Sequence, residues 1–270
     1  MSRIELVESH RRAADQLPNH AIPEMNGVGA MEICVSVSEG VCDFISSMDT
    51  RRIQEWNTWY HLLNCGFPLV TSGETDFPCM SSRRVGQGRV YVQLGPGAPL
   101  DYGKWVEALA RGRSYVSDGF AHALEFTVNK VSPGFGKVEL AQPGPVKVAA
   151  RVAFAPETPN TVAQGLVTPI GGRQLIGDTV HLHTERDESR RQGGIRHVEL
   201  VVNGRVAASK QVPADGEIHA LEFELKLEES SWVALRQFPQ LHTNPVAVRI
   251  ANKPIRASAR SARWCVEMTE

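Results

Sequence analysis

The chain has 270 residues, of which 42% are hydrophobic and 22% are charged, and its formal net charge is −1. These values fit a globular protein of one large or two ordinary domains. The balance of 29 basic and 30 acidic residues predicts neither a nucleic-acid surface nor binding to anionic lipid, so we expect no nucleic-acid or membrane partner.

The sequence carries no recognisable targeting signal. The charged stretch 1–15 lacks the apolar core of a secretory signal, and no apolar run approaches the roughly 20 residues of a membrane span. The default expectation is therefore a cytoplasmic protein. The cysteines lack CxxC spacing, which argues against a disulfide framework or a structural zinc site and predicts reduced, mostly buried thiols. They are Cys34, Cys42, Cys65, Cys79 and Cys265.

Helical and strand patterns alternate up to about residue 120. Residues 4–16 predict a short polar helix. Residues 29–40 alternate apolar and polar side chains with a period of two, which predicts a strand with one polar face. Residues 39–49 then predict a short helix. The apolar face of the predicted strand consists of Met31, Ile33, Val35 and Val37.

The clearest helix in the sequence spans residues 49–67. Apolar side chains recur in it at helical spacing, Asp49 is a suitable N-cap, and Gly66 is a suitable C′ residue. Strands are predicted at 68–74 and 89–94, and a further helix follows the second of them. This alternating order predicts a largely parallel sheet or barrel.

Beyond residue 120 the patterns are those of strands alone. Residues 146–154 and 219–229 each alternate apolar and polar side chains, and Asn203-Gly204 is a strong signal for a tight hairpin. Many short strands separated by Gly, Pro and Asn indicate an Ig-like β-sandwich. Its predicted core includes Leu221, Phe223, Leu225 and Trp232.

These patterns predict two domains of the class α/β + β. Residues 1–119 form a partial barrel in this prediction, and residues 120–270 form the sandwich. Within the sandwich we expect no helix longer than two turns between residues 196 and 250.

A polar stretch, TSGETDFP at 71–78, ends the strand predicted at 68–74. A carboxylate at the end of a strand is a common position for a metal ligand in α/β enzymes. Gly73 permits close approach of another backbone segment, and Pro78 ends the hydrogen bonding of the strand. Glu74 and Asp76 are two residues apart, so both point the same way if the strand continues.

Three interpretations of Asp76 stay open from the residues alone. It binds a metal together with Glu74 and with His20, which lies in a proline-bounded loop. It is a metal ligand whose partners are missing from the chain, because a hydrolytic zinc needs about three protein ligands. It is a structural acid that caps the next turn. His181 and His183 also form a His-x-His pair, but the strand alternation places both on a solvent-facing side.

Several segments occur in an order that resembles a known family. Together they resemble the later half of the metal-dependent hydrolases of the polymerase-and-histidinol-phosphatase (PHP) superfamily, in the CehA/McbA-type branch, and the β-sandwich that follows the barrel there. The resemblance covers about residues 17–265. The segments are WNTWYHLLNCGFPLVTSGETDFP at 56–78, RVGQGRVYV at 84–92, WVEALARGRSYVSDG at 105–119, FTVNKVSPG at 126–134 and SSWVALRQFPQLHTNPVAVRIANKPI at 230–255.

The resemblance implies a distorted (β/α) barrel that holds divalent metal ions, zinc, manganese or iron, and hydrolyses carboxylic esters or phosphoesters. Asp76 takes the place of a late metal ligand, whereas Pro78 stands where the family has a histidine. Arg84 and Arg89 lie near the metal in this comparison and are candidates for binding an anionic substrate. The first strands of the family barrel have no counterpart, which suggests an N-terminally truncated gene, a misassigned start codon or one half of a split protein. In each case we expect the chain to associate with itself through exposed barrel edges.

Two functional hypotheses follow from these features. In the first, the chain is a fragment or degenerate member of this hydrolase family and is inactive without the missing metal-binding strands. In the second, it is a non-catalytic binding or assembly module in which the sandwich carries the function. A metal-binding assay separates the two hypotheses.

Overall fold

A computed structural model describes residues 16–20, 32–48, 52–74, 86, 88–159 and 190–269. Within these ranges the fold is mixed α/β, consisting mostly of strands in several sheets with few helices. The described strands do not close into a barrel, and no described helix is both long enough and apolar enough to span a membrane.

The described helices are short, and side-chain caps mark where two of them begin. The carboxylate of Asp101 accepts a hydrogen bond from the Lys104 backbone at 2.8 Å, and the Ser258 hydroxyl accepts one from the Ser261 backbone at 3.1 Å. The helices are α1 (Ile33–Ser38), α2 (Arg52–Asn64), α3 (Tyr102–Ala110) and α4 (Ala259–Glu267).

Helix α2 confirms the clearest helix of the sequence, but it is more deeply buried than one apolar face requires. His61 is fully buried and Asn64 is 2% exposed, although both are polar. The helix is covered on several sides because it packs between α4 and strand β13 (Ser231–Gln237). Its buried polar side chains therefore need partners inside the protein.

Residues 32–46 have the reverse of the secondary structure that the sequence predicts. The predicted strand is the helix α1, in which Cys34 and Val37 are buried three residues apart and Val35 is 48% exposed. Met31 lies outside the described residues. The predicted helix at 39–49 is instead interrupted by Gly40, at a φ of 71°, and contains the strand β1 (Phe44–Ser46). In so short an apolar run, the two-residue spacing of a strand and the three-to-four-residue spacing of a helix fit the same side chains. Contacts with the rest of the protein therefore decide which secondary structure forms.

The strands form two larger sheets and two small ones. One large sheet has the order β11-β10-β13-β14-β4-β3, with β15 beside β13 and β6 beside β15; the other has the order β12-β7-β5. The small pairs are β1-β2 and β8-β9. The strands are β1 (Phe44–Ser46), β2 (Val70–Ser72), β3 (Arg89–Val92), β4 (Ser114–Ser117), β5 (Ala121–Val128), β6 (Val138–Leu140), β7 (Gly144–Phe154), β8 (Glu157–Pro159), β9 (Arg190–Gln192), β10 (Ile195–Val202), β11 (Arg205–Pro213), β12 (Ile218–Leu227), β13 (Ser231–Gln237), β14 (Leu241–Thr243) and β15 (Val246–Ile250).

The prediction of a largely parallel sheet is wrong. Among the described strands the parallel pairs are β1-β2 and β6-β15, and β3 pairs antiparallel with β4. After β3 the chain passes through α3 and returns to the same end of the strand, where the Gln93 backbone N–H donates to the Arg113 carbonyl at 2.8 Å. Gly112, at a φ of 74°, makes this reversal possible in the turn after α3.

The two large sheets share one apolar core, which we call the two-sheet core. It contains Leu221 and Phe223, as predicted, with Leu225 partly buried against it. All of residues 196–250 are described, and they contain no helix, which confirms that prediction. The predicted boundary at 119/120 stays a prediction, although β4, from before it, pairs with β14 in the same sheet.

Trp232 does not belong to the two-sheet core, so its assignment to that core is wrong. Strand β13 is buried on both faces, and its side chains alternate between them. Val233 and Leu235 reach the two-sheet core. Trp232 and Ala234 point to the opposite face, where they meet α2 and α4 in a second cluster, the helix-side core.

Candidate functional site

The candidate site lies at the carboxyl ends of two neighbouring parallel strands. In the register of β1 and β2, Ser46 is the partner of Ser72, so both strands end at the same edge. Carboxyl ends of parallel strands are where α/β folds place ligand-binding groups. We call this group the strand-end site; it comprises Ser46, Ser47, Thr71, Ser72 and Glu74.

Hydrogen bonds hold the backbone of the strand-end site in place. The hydroxyls of Ser47 and Thr71 bond to each other, and the Ser47 backbone N–H donates to the Ser72 carbonyl at 3.0 Å. The indole of Trp56 donates to the Ser47 carbonyl at 3.1 Å, and the amide oxygen of Asn244 accepts from the Thr71 N–H at 2.9 Å. The strand ends are thus attached to α2 on one side and to the residue after β14 on the other.

Two polar atoms of the strand-end site are buried and have no partner. Within the described part of the chain, neither Oε2 of Glu74 nor Oγ of Ser46 makes a hydrogen bond. Burying a carboxylate oxygen without a donor or a cation costs several kcal/mol, on the order of 2–7 for an uncompensated polar group. Glu74 therefore needs a positively charged or hydrogen-donating group that the described residues do not supply.

Glycines bring Glu74 and Arg89 together. A Cβ on Gly73 would lie 2.6 Å from the carbonyl oxygen of Arg89, and a Cβ on Gly88 would collide with the carbonyl oxygen of Glu74. The close backbone approach predicted for Gly73 is therefore confirmed. Two of the candidate site residues, distant from each other in sequence, lie on touching backbone segments.

The side chain of Arg89 is fixed at the rim of this region. Its Nε donates to the Gly86 carbonyl at 2.7 Å, and its Nη1 donates to the Tyr91 hydroxyl at 3.4 Å. A Cβ on Gly119 would lie 2.6 Å from the guanidinium carbon, so this glycine provides the space for the arginine. An exposed guanidinium held in this way can meet an anionic group from solvent.

An aromatic group that sequence patterns did not identify lies beside Arg89. Tyr91 and Tyr115 are register partners on β3 and β4, and their rings stack with centroids 5.0 Å apart. The Tyr115 hydroxyl and His122 Nδ1 are 2.9 Å apart. Burial raises the pKa of Tyr115 and lowers that of His122, so both groups are neutral at pH 7. Only the pairing of β3 with β4 reveals this group, since each strand alone shows an ordinary alternation.

His20 lies against different elements from Glu74. Its ring is 5.1 Å from that of His61, centroid to centroid, on the side of α2 that faces α4. Burial, and then the charges of Arg260 and Arg205, lower the pKa of His20. Asp76 and Arg84 lie outside the described residues, as do His181 and His183, so the predicted set of His20, Glu74 and Asp76 stays a prediction. In the described ranges no group of three or more His, Cys, Asp or Glu residues is arranged to hold a metal ion.

A buried polar network that the sequence did not reveal connects α2 to the large sheet. The Tyr60 hydroxyl and His242 Nε2 are 2.6 Å apart, and the Nδ1–H of His242 donates to the Thr243 carbonyl at 2.7 Å. Arg236 donates from Nη1 to the Tyr60 hydroxyl at 3.3 Å and from Nε to Glu199 at 2.6 Å. These residues are buried, and their hydrogen bonds join α2 to β10, β13 and β14.

Neither a protein-family model nor a curated protein sequence matches this chain.

Proposed function

We propose that the chain belongs to the lineage of PHP-type metal-dependent hydrolases of the CehA/McbA branch, and that Glu74 and Asp76 are ligands of a divalent metal ion. On this proposal β1, β2 and α2 are part of a distorted barrel, and the two large sheets are its following Ig-like sandwich. The substrate is a small carboxylic ester or phosphoester.

The buried, unpaired Oε2 of Glu74 is the observation that carries this proposal. It lies at the carboxyl end of a parallel strand pair, and its backbone is clamped by Gly88. Zinc, manganese and iron all accept carboxylate oxygens, and a cation supplies the charge that this oxygen lacks. Asp76 follows two residues later in the sequence and would provide a second oxygen donor.

On this proposal, different residues bind the metal and the substrate. A bound divalent ion would lower the pKa of a coordinated water and polarise the ester oxygen. Glu74 and Asp76 would hold the ion, while Arg89, with Arg84, would orient an anionic substrate by a charge-assisted hydrogen bond. The hydrogen bonds of Ser47 and Thr71 would keep the ends of β1 and β2 in register, so that Glu74 stays in position to hold the ion.

Metal uptake tests the role of Glu74 directly. The protein is stripped with a chelator, dialysed separately against Mn²⁺, Zn²⁺ and Fe²⁺, and analysed for bound metal by mass spectrometry and for melting temperature. We expect metal bound by the original protein and at least about tenfold weaker binding by Glu74→Gln, in line with the loss of a metal-site ligand or its support. Glu228→Gln is the control, because Glu228 is an exposed residue after β12. Equal metal binding by Glu74→Gln and the original protein would overturn the proposed ligand role.

Ester hydrolysis tests the proposed role of Arg89. With metal bound, p-nitrophenyl acetate and p-nitrophenyl phosphate are the probes. For the phosphoester we expect Arg89→Gln to raise KM about tenfold with little change in kcat, which is the signature of lost substrate binding. Arg151→Gln on the exposed side of β7 should leave both constants unchanged. An unaltered KM in Arg89→Gln would exclude this role.

The alternative, a non-catalytic binding module, is favoured by a separate observation. A cavity of about 340 Å³ lies between β3, β4 and β5 and is lined by Tyr91, Tyr115 and Arg113 among others, but by no residue of the strand-end site. Its size is within the range of small-molecule sites, about 300–1,000 Å³. Under this alternative the protein takes up no metal in the assay above, and Glu74→Gln is without effect.

A further inference from the structure

Three of the cysteines, distant in sequence, line one cavity. Cys34 belongs to α1, Cys65 follows the last residue of α2, and Cys265 belongs to α4. The cavity has a volume of about 590 Å³, and apolar side chains such as Leu62 and Phe67 form much of its wall. The fold thus gathers in one place thiols that the sequence separates by up to about 230 residues.

Hydrogen bonds connect the three thiols. Cys265 is bonded to both Cys34 and Cys65. The hydrogen bond from Cys265 lowers the pKa of Cys34 and of Cys65, whereas those two bonds raise the pKa of Cys265. Because a thiol has a single proton, Cys265 exchanges a hydrogen bond with one of the other two sulfur atoms at a time. All three thiols line the same cavity.

Cys65 combines access with a positive neighbour. Cys34 is 7% exposed, whereas Cys65 and Cys265 are half-buried. The guanidinium of Arg256 lines the same cavity and donates to the Cys65 carbonyl at 2.6 Å. Reactive cysteines are partly exposed and lie near positive charge, because the thiolate is the nucleophile.

We propose that Cys65 and Cys265 form a reversible thiol pair, which a peroxide that enters the cavity oxidises to a disulfide. This function is independent of the proposed hydrolase activity and of the strand-end site. Cys65 reacts first, because it is partly exposed and has Arg256 beside it. Cys265 is the resolving thiol, because it lines the same cavity and is the hydrogen-bonding neighbour of Cys65.

The chemistry balances with hydrogen peroxide as the oxidant. The Cys65 thiolate attacks one peroxide oxygen and the O–O bond breaks, so that Cys65 becomes a sulfenic acid and hydroxide leaves. The hydroxide takes up the proton that the Cys65 thiol released on ionisation, and one water forms. The Cys265 sulfur then attacks the Cys65 sulfur, the S–O bond breaks, and a second water leaves with the thiol proton. Two electrons pass from the two thiols to the peroxide. A dithiol reductant reverses the disulfide by thiol exchange.

Cys34 gives this site a second possible pairing, by exchange. Its thiolate can attack Cys265 in the disulfide, forming a Cys34–Cys265 bond and releasing the Cys65 thiol, with no change in oxidation level. The first disulfide joins the end of α2 to α4, and the second joins α1 to α4. In each case the C-terminal helix becomes covalently attached to the helix-side core.

Thiol counting and peptide mapping test the proposal on the intact chain. The reduced protein is treated with hydrogen peroxide, denatured, and its free thiols are titrated; we expect two of the five cysteines to be lost and recovered with dithiothreitol. Mass spectrometry of a short peroxide exposure should identify Cys65 joined to Cys265. Cys265→Ser should form no intramolecular disulfide, and Cys34→Ser should retain the Cys65–Cys265 bond.

Cys42→Ser is the matched control. Cys42 is also partly exposed, but its thiol donates to the Phe44 carbonyl at 3.3 Å, and it does not line the cavity. This variant should lose two thiols like the original protein. The proposal is overturned if all five thiols survive, if the disulfide contains Cys42 or Cys79, or if Cys34 replaces Cys65 in the first product. Because the mapping uses the original protein, a variant that fails to fold does not affect this test.

Discussion

Two buried histidines lie on opposite sides of helix α2: His61 belongs to the helix, and His242 packs against it from β14. His61 stacks on the Trp264 ring with centroids 4.2 Å apart, and its Nδ1 is 2.9 Å from the Ser261 hydroxyl. His242 lies on the opposite side among Trp56, Trp59 and Tyr60. Burial lowers the pKa of His61 to about 4 and that of His242 to about 3. Both rings are therefore neutral members of the core, and each stabilises the fold only in that form.

Acidification should destabilise the protein through these two residues. In the unfolded chain each histidine binds a proton below its ordinary pKa of 6.5, while the folded chain resists protonation down to about 4 and about 3. The unfolded state thus binds more protons in this window, so the free energy of unfolding falls as the pH falls. We expect a loss of about 2 kcal/mol per histidine between pH 7 and pH 5.

Urea unfolding at the two pH values measures this effect. His61→Gln and His242→Gln should each remove about 2 kcal/mol of the pH-dependent loss, because neither glutamine titrates. Tyr60→Phe is the control: it removes the hydroxyl beside His242 but keeps the titrating ring, so it should retain the full pH dependence. A full pH dependence in the His242→Gln variant would contradict the linkage.

The buried ion pair of Glu199 and Arg236 should show strong coupling. Their side chains are 9% and 0% exposed, and the two atoms that meet are 2.6 Å apart. Glu199→Gln leaves a buried arginine without its counter-charge and should cost about 3 kcal/mol or more, whereas Glu199→Gln combined with Arg236→Met should cost less than the sum of the single changes. A double-mutant cycle by chemical unfolding measures the coupling.

The exposed pair of Lys226 and Glu228 is the matched control for that cycle. Its two side chains are 66% and 67% exposed, at 2.8 Å. Solvent screens such a pair, so its coupling should be below about 1 kcal/mol. Equal coupling in the two cycles would show that burial does not set the strength of the Glu199–Arg236 pair.

At the scale of elements, the hairpin between β10 and β11 combines a local signal with a tertiary contact. Asn203 and Gly204 form its two-residue turn with φ values of 52° and 86°, as the Asn-Gly signal predicts. The turn also touches α2, because a Cβ on Gly204 would lie 2.6 Å from Pro18 Cδ and 3.1 Å from Tyr60 Cδ2. The glycine is therefore required by both its backbone angle and the space around it.

Gly204→Ala should separate these two requirements when it is compared with Gly40→Ala. Both glycines have positive φ, but nothing lies within 4 Å of a Cβ on Gly40. Gly40→Ala should cost only the backbone strain, about 1–2 kcal/mol. Gly204→Ala should cost roughly 1–3 kcal/mol more, since Pro18 and Tyr60 have to move. Equal losses in thermal or chemical unfolding would show that the contact with α2 adds nothing.

At the scale of the whole molecule, the eight-stranded sheet is covered on both faces. The three-stranded sheet packs on one face through the two-sheet core, and α2 and α4 pack on the other through the helix-side core. The pair β1-β2 lies at the helix side as a sheet of two strands. Its neighbourhood carries exposed apolar residues, with Val41 at 77% and Phe44 at 43% exposure.

Among the described strands β1 and β2 pair only with each other, and we expect this small sheet to promote self-association. An open strand with apolar side chains is a template for pairing with a second copy. We expect dimers by multi-angle light scattering at high concentration, and a shift toward monomer in Phe44→Lys. Val206→Lys, on the exposed side of the edge strand β11, is the control and should leave the association unchanged. A monomer at all concentrations would contradict the prediction.

The sequence by itself determined the elements whose signals are local and long. Helix α2, the strands beyond residue 120 and the Asn203-Gly204 turn each follow from periodicity or turn chemistry in one continuous stretch. The end of the strand before Glu74 was likewise predictable, because polar residues directly follow the apolar residues of the strand in the sequence. Such features depend on residues that are close in sequence, so they can be predicted from a short stretch of the chain.

The tertiary structure alone decided everything that rests on contact between distant residues. Helix α1 and strand β1 exchanged their predicted states, since short apolar runs fit either period and their packing partners make the choice. Trp232 lies on the face of β13 that points away from the two-sheet core. The three thiols line one cavity because the fold places α4 near α1 and the end of α2. The partner of a buried side chain is fixed by the path of the backbone through space, and no local pattern encodes that path.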